Sequence, residues 1–446
     1  MTSPTSIADT FLGDWPFKAA RLPFFYGWVI LVVSTLGFLA SIPGQTMGMA
    51  VFADAFIATT GLSRTQLSTA YLLGTVTSAL LLTRAGRWYD QVGARAMLVG
   101  SSALLGVMVM FLAIVDKLTN GLAPLLGVAA ATIAFPLMVL GYFGVRFAGQ
   151  GVLTSASRNV LLVWFEKRRG LVSGVRGVFV SLGFSIAPLL IAWLMDSAGW
   201  RGALFWMAGI VGFGFALIAL LLVRNFPETC GLQPDGGKVQ VDEETQESPG
   251  GVAFTLTQVR TDPVFWIYAM SLSIHALFGT AVTFPIVAIF EAAGRSRAEA
   301  FAYFIPQAVV SLTTNLSASA MADHMRLKPL LLLMLIAFIA GAYGLTHLSQ
   351  GWGYWLLVAG FGVGGGLWGV LSNLVFIRHY GALHLGEISG LNTSLTVTAS
   401  AIGPVFFSLA LDYFATFNAA AYACIGGLIC LLLVALAVKQ PNDAIP

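Results

Sequence analysis

Arg146 stands in the middle of an apolar run, 134–162, where a charged side chain costs several kcal/mol to insert. It must therefore face a cavity or a partner. Tyr142, Arg146 and Gln150 recur at i, i+4 and i+8, and Thr154 continues the same helical face. Such a stripe can bind or guide an anion, or it can pin its helix to neighbouring carbonyls. His275 lies in another apolar run and offers either a proton carrier near neutral pH or a packing ring. Asn373, with Gln307, Asn315 and Asn392, adds amides that line cavities or glue helices. Arg158 lies nearer a membrane edge, where a long basic side chain snorkels. A second kind of cluster sits between runs. Asp90 and Arg95, spaced by Gly86 and Gly93, recur in altered form as Asp323 and Lys328. Such pairs make a latch that opens and closes, or a static staple.

Other chemistry is missing from the pattern. Neither HExxH nor GxSxG occurs, and the histidines other than His275 (His324, His347, His379, His384) fall at or near run ends. Cys230, Cys424 and Cys430 have no metal-ligand spacing and read as packing residues. An embedded enzyme needs a convergent set of such groups, so we expect no enzyme, no cofactor and no metal. The net charge is only +3 and dispersed, so no nucleic-acid partner is expected.

The elements that position these residues are hydrophobic helices. The 446 residues are 57% hydrophobic and 10% charged, with mean hydropathy +0.84. Soluble domains carry about 25% charge. A span needs about 20 apolar residues, so the composition accommodates about twelve. Runs fall at 26–50, 66–83, 96–115, 134–162, 172–195 and 203–223, then at 264–290, 301–321, 329–348, 353–377, 388–411 and 419–438. Between the two sets, 224–262 is polar, rich in Pro and Gly, and carries Asp242, Glu243, Glu244 and Glu247; it reads as a cytoplasmic linker. The chain is thus expected to be an all-α polytopic membrane protein, with six-helix bundles in 1–223 and 263–446. The first apolar run follows Lys18 and Arg21 and reads as an uncleaved helix. With the N-terminus inside, eleven Lys and Arg lie on the inner side against five in the outer loops. The positive-inside rule therefore puts both termini in the cytoplasm.

The two halves repeat. RRGLVSGVRGVFVSLGFSIAPLLIAWLMD, ending at Asp196, aligns without gaps with HLGEISGLNTSLTVTASAIGPVFFSLALD, ending at Asp412, at a constant offset of 216. This pairs Gly170 with Gly386, Ser173 with Ser389, Gly174 with Gly390 and Pro188 with Pro404. Asp90 pairs with Asp323, and Arg95 with Lys328, at an offset of 233. A repeat in the same topology implies halves related by an axis along the membrane normal, the symmetry of carriers whose halves rock around a midplane site.

The loop Gly86-Arg-Trp-Tyr-Asp90-Gln-Val-Gly93-Ala-Arg95 and the segment Arg146-Phe-Ala-Gly-Gln150-Gly151 resemble signature motifs of the major facilitator superfamily. YGW from Tyr26, GLSRTQLSTAY from Gly61, WFEKRRG from Trp164, GWR from Gly199 and PETCGLQPDG from Pro227 resemble its bacterial branch related to monocarboxylate and oxalate–formate transporters. The resemblance implies a cytoplasmic latch at Asp90/Arg95 and Asp323/Lys328, and a cavity-lining fourth helix. It departs where that branch carries a base in helix 8 or 11, since 301–321 and 388–411 have none. The helix 5 antiport signature is partial, with Gly174, Gly183 and Pro188 present but Ala187, Ile191 and Ala192 off-pattern.

The expectation is a monomeric carrier of a small organic anion in the inner membrane, working by alternating access as a uniporter or as a proton or ion symporter, with His275, Asp54 or the substrate's own carboxylate as the routes for a coupled proton. An exporter of lipophilic compounds, with Phe143, Phe278 and Trp368 lining the cavity, and a non-translocating sensor are the alternatives.

Overall fold

The computed structural model describes residues 15–236, 254–283 and 285–438. The centre of the expected linker, with its acidic cluster, lies outside the described residues, as do the two chain ends. Among the described residues the chain forms twelve long helices. Helix α1 runs Gly27–Ala40, breaks, and resumes as Thr46–Ala50 and Ala53–Thr60. The continuous run Arg64–Ala113 is two helices, α2 and α3, parted at Gly93 with φ 85°. Only glycine enters that backbone region without strain. Val115–Leu126 prolongs α3. Helix α4 is Ala130–Val145, a π-helical stretch Arg146–Leu153, and Thr154–Trp164. The run Arg169–Gly209 parts at Gly199 into α5 and α6, and α6 continues to Leu222. Then follow α7 (Pro263–Thr283, resumed as Ile286–Ala292), α8 (Phe304–Ala322), α9 (Leu327–Thr346), α10 (Gly351–Tyr380), α11 (Leu385–Phe414) and α12 (Asn418–Ala437). All but α8 fall within ten windows apolar enough to span a bilayer. Ser311, Thr313, Thr314, Asn315, Ser317 and Ser319 lower the hydropathy of α8.

Local chemistry sets the helix starts. Ser63 Oγ accepts from Gln66 N at 3.1 Å while Gln66 Oε1 accepts from Ser63 N at 2.9 Å, a capping box that opens α2. The same reciprocal arrangement of Ser296 and Glu299 opens the turn before α8.

Two compact units result. One comprises the described parts of Met1–Glu166, Phe179–Pro249 and Leu385–Ser394, the other those of Lys167–Val178, Gly250–His384 and Leu395–Pro446. Each unit thus takes in the first turns of a helix, α11 or α5, from the other half of the sequence.

In the first unit, small residues let backbones cross closely, as membrane packing requires. A Cβ on Gly106 would lie 2.6 Å from Gly212 Cα, and one on Gly44 2.4 Å from Val145 O. Ser34 Oγ donates to Ser157 O at 2.6 Å, tying α1 to α4. In the second unit, Gly341 and Gly360 cross α9 and α10, while Gly362 and Gly366 of α10 sit on Val310 and Ser311 of α8. These α10 glycines thus serve close packing.

Candidate functional site

The motif carboxylates sit at helix starts. Asp90, at the end of α2, accepts from Gly386 N through Oδ1 and from Glu387 N through Oδ2, each at 2.8 Å. In the second unit, Asp323 accepts from Gly170 N at 2.6 Å and from Leu171 N at 3.0 Å. The first N–H groups of a helix have no intrahelical acceptor, and the helix dipole favours an anion there. Each carboxylate supplies both needs to a helix start, of α11 or of α5. The repeat offsets carry through, since Asp90 matches Asp323 and Gly386 matches Gly170. Gly86 makes the crossing possible, because a Cβ there would lie 2.1 Å from Gly386 O. Its counterpart contact puts Ser319 O 2.1 Å from the place of a Gly170 Cβ. An ion pair accompanies each clamp: Arg87 with Glu387, and Arg378 with Asp323 at 3.4 Å.

The motif bases go to helix ends. Arg95 Nε donates to Val223 O at 2.6 Å, beyond the last turn of α6, and Arg95 Nη2 donates to Trp15 O at 3.2 Å. Lys328 Nζ donates to Leu436 O at 3.2 Å and Val438 O at 2.9 Å, at the end of α12. The last carbonyls of a helix want donors as its first N–H groups want acceptors. Carboxylate and base, expected to face each other across a latch, therefore cap different helices. Gly93 turns the chain between them and packs against the side chain of Asn225, which accepts from Arg95 N at 2.9 Å.

The α4 stripe converges on the break in α1. Arg146 is 3% exposed, and its Nη1 donates to Gly44 O at 3.2 Å and Thr46 Oγ1 at 3.4 Å. Its guanidinium carbon lies 5.3 Å from the centre of the Tyr71 ring, a cation–π approach. Tyr71 meets Tyr142 edge-on at 5.2 Å, and Tyr71 Oη lies 2.7 Å from Thr46 Oγ1. Among the described residues no carboxylate pairs with Arg146, and its Nε has no partner. Gln150 Oε1, one turn on, is also without a partner, as is Arg158 Nη2. The α4 backbone leaves α-helical register over Arg146–Leu153, a π-bulge of the kind that often marks functional sites.

The other candidates lie in the second unit. His275 stacks on Phe338 of α9 at 4.4 Å and lies 5.2 Å from Trp368 of α10. Aromatic neighbours in its own unit thus hold the ring. Asn373 Oδ1 accepts from Arg176 Nη2 at 2.6 Å, and Asn373 Nδ2 donates to Gly369 O at 2.6 Å within α10. Arg176, which the sequence reading passed over, is 3% exposed at the start of α5. Its repeat counterpart is Asn392, and a basic residue replacing an amide in one copy was the signal available. Thr46 and Tyr71 were missed as well, because nothing in either side chain marks it until the α1 break brings Arg146 to it.

Near the first clamp, Leu82, Gly86, Tyr89, Ser155, Asn159 and Gly386 line a small cavity. Asn159 Nδ2 donates to Ser389 Oγ at 3.0 Å.

Among the described residues, twelve long helices, all but α8 within membrane-spanning windows, carry buried polar groups and the same clamp built twice, the make-up of a polytopic membrane protein. The sequence profile of the Major Facilitator Superfamily matches residues 33–404, and the chain belongs to that superfamily. It is 28% identical over 109 residues to a probable hexose phosphate transport protein of Chlamydia pneumoniae, covering 24% of this chain and 23% of that protein. It is 28% identical over 127 residues to monocarboxylate transporter 6 of Mus musculus, covering 28% of this chain and 27% of the relative. These matches thus span about a quarter of each relative's length. Among solved structures, the fold resembles the E. coli fucose:proton symporter FucP, with TM-score 0.63, 12% identity and coverage of 94% of this chain and 100% of that one. It also resembles a bacterial homologue of the iron transporter ferroportin in its outward-facing state, with TM-score 0.69, 16% identity and coverage of 91% and 98%.

Proposed function

We propose that this transporter carries a small organic anion, a carboxylate foremost, by alternating access. The observation that carries this reading is the buried Arg146 guanidinium, which has only neutral partners among the described residues. A buried charge without a counter-charge is costly. An anion arriving nearby supplies the missing counter-charge and relieves that cost. The break in α1 beside Arg146 fits such a site, because interrupted helices in carriers mark where substrate binds. Tyr142 and Gln150 extend the same polar face. The names of both relatives, a hexose phosphate carrier and a monocarboxylate carrier, also specify anions.

In this reading residues 1–223 move against 263–446. Asp90 with Gly86, and Asp323, are the gating grips on the starts of α11 and α5. Arg95, Gly93 and Lys328 fix the loops from which those grips act. Asn373, held by Arg176, belongs to the polar lining. His275 serves packing rather than proton transfer, which leaves Asp54 or the substrate's own carboxylate to carry a coupled proton. The chain works as a monomer in the inner membrane with both termini cytoplasmic.

A thermal-stability panel on purified protein tests the substrate class. Mono- and dicarboxylates and a sugar phosphate are compared with lipophilic cations and neutral drugs, on wild type and Arg146→Gln. A ligand at 100 times its dissociation constant stabilises by about 2.7 kcal/mol. Stabilisation of wild type alone by an anion supports the reading. Equal shifts of both proteins by apolar compounds alone would replace it with export of lipophilic solutes.

A further inference from the structure

We infer that the Tyr71 hydroxyl is the group that touches the transported anion, with Arg146 acting through Thr46. This rests on the anion reading above. Arg146 is 3% exposed and its Nη1 is committed to Gly44 O and Thr46 Oγ1, so that donor reaches an incoming ligand only through Thr46. Thr46 is exposed and Tyr71 half-buried, so this pair stands between Arg146 and open space.

Proton counting then assigns the contact. A guanidinium only donates, so Thr46 Oγ1 accepts from Arg146 and keeps its own proton. Thr46 Oγ1 and Tyr71 Oη are 2.7 Å apart, and their bond uses one hydroxyl proton of two. The other is left to give. An oxygen that accepts from a cation is the more polarised donor, so Thr46 donates to Tyr71 and the phenol proton points onward. The relay from Arg146 through Thr46 to Tyr71 ends in a donor, and the ligand suited to it is an anion. The phenol is held in place before a ligand arrives. Its face lies under Arg146, and it packs against Tyr142 with ring planes at 79°. The break in α1 supplies Thr46, because Gln45 is extended (ψ 156°) just before the helix resumes.

Calorimetric titration of the purified full chain with L-lactate and with glucose 6-phosphate tests this. Variants Tyr71→Phe, Thr46→Val, their combination, and Arg146→Gln are compared with wild type. Tyr71→Phe keeps the ring and should weaken binding of the recognised anion about tenfold or more, the range for a hydrogen bond to a charged group. Thr46→Val should weaken it less, and the combination no further than Tyr71→Phe alone, because both break one relay. Circular dichroism checks folding, and Thr46→Val stands in if Tyr71→Phe does not fold. If Arg146→Gln abolishes binding while Tyr71→Phe and Thr46→Val bind as wild type, Arg146 meets the anion directly. The relay is then wrong and the anion reading stands. If wild type binds neither probe, the anion reading falls and the relay with it.

Discussion

Asp90 and Asp323 stand 233 residues apart in the chain and make the same pair of bonds. Each carboxylate takes two consecutive backbone N–H groups at the start of a long helix, Gly386 and Glu387 for one, Gly170 and Leu171 for the other. Replacing either by Asn removes the charge and one of the two acceptors. Asp90→Asn and Asp323→Asn should each cost about 1 kcal/mol, the usual scale for a cap and helix dipole together. The two sites share no partners, so their effects should add in thermal unfolding. A large loss at one and none at the other would contradict their equivalence. Asp90→Asn should also change the transport rate, and an unchanged rate removes the gating role.

The crossing at Gly86 has no room to yield, because the obstructing atom is backbone oxygen at 2.1 Å. Gly86→Ala and Gly170→Ala should therefore destabilise by about 1–3 kcal/mol, the range for overpacking. Gly100→Ala, where a new Cβ meets nothing within 4 Å, is the control and should be neutral or slightly stabilising. The unfolding temperatures of the three variants separate these outcomes.

Lys328 closes the end of α12 through Leu436 O and Val438 O. Lys328→Met should cost about 0.5–1 kcal/mol and speed amide exchange in the last turn of α12. Lys328→Arg should restore protection, because a guanidinium also donates to carbonyls. Equal exchange in all three proteins would mean that the lysine serves topology alone.

His275 lies flat on Phe338, with ring planes at 18°. His275→Phe should keep the stack, the transport rate and the pH profile of transport. A lost pH dependence in this variant would return His275 to a coupling role.

Much of this was legible before the structure. The gapless repeat placed Gly170 and Gly386 in equivalent positions, the second correspondence did the same for Asp90 and Asp323, and hydropathy placed all twelve helices, including the amide- and hydroxyl-rich α8. The bonding pattern was not legible. An acid five residues before a base suggests an ion pair, and only the fold shows the acid at one helix start and the base at another helix end. Arg176 falls near the start of the expected run 172–195, and only the fold shows it buried and bonded to Asn373. Thr46 and Tyr71 lie 25 residues apart on different helices, and their meeting depends on a break in α1 that composition only hints at through Pro43 and Gly44.

The anion-carrier reading is tested most directly by uptake into proteoliposomes. Radiolabelled lactate, succinate and glucose 6-phosphate would be followed with wild type, Arg146→Lys and Arg146→Gln. The account predicts saturable uptake of at least one anion by wild type, partial uptake with Arg146→Lys, and a loss of about tenfold or more with Arg146→Gln. Undiminished uptake by Arg146→Gln would make Arg146 a helix pin. No anion uptake by wild type, with a lipophilic compound transported instead, would overturn the account.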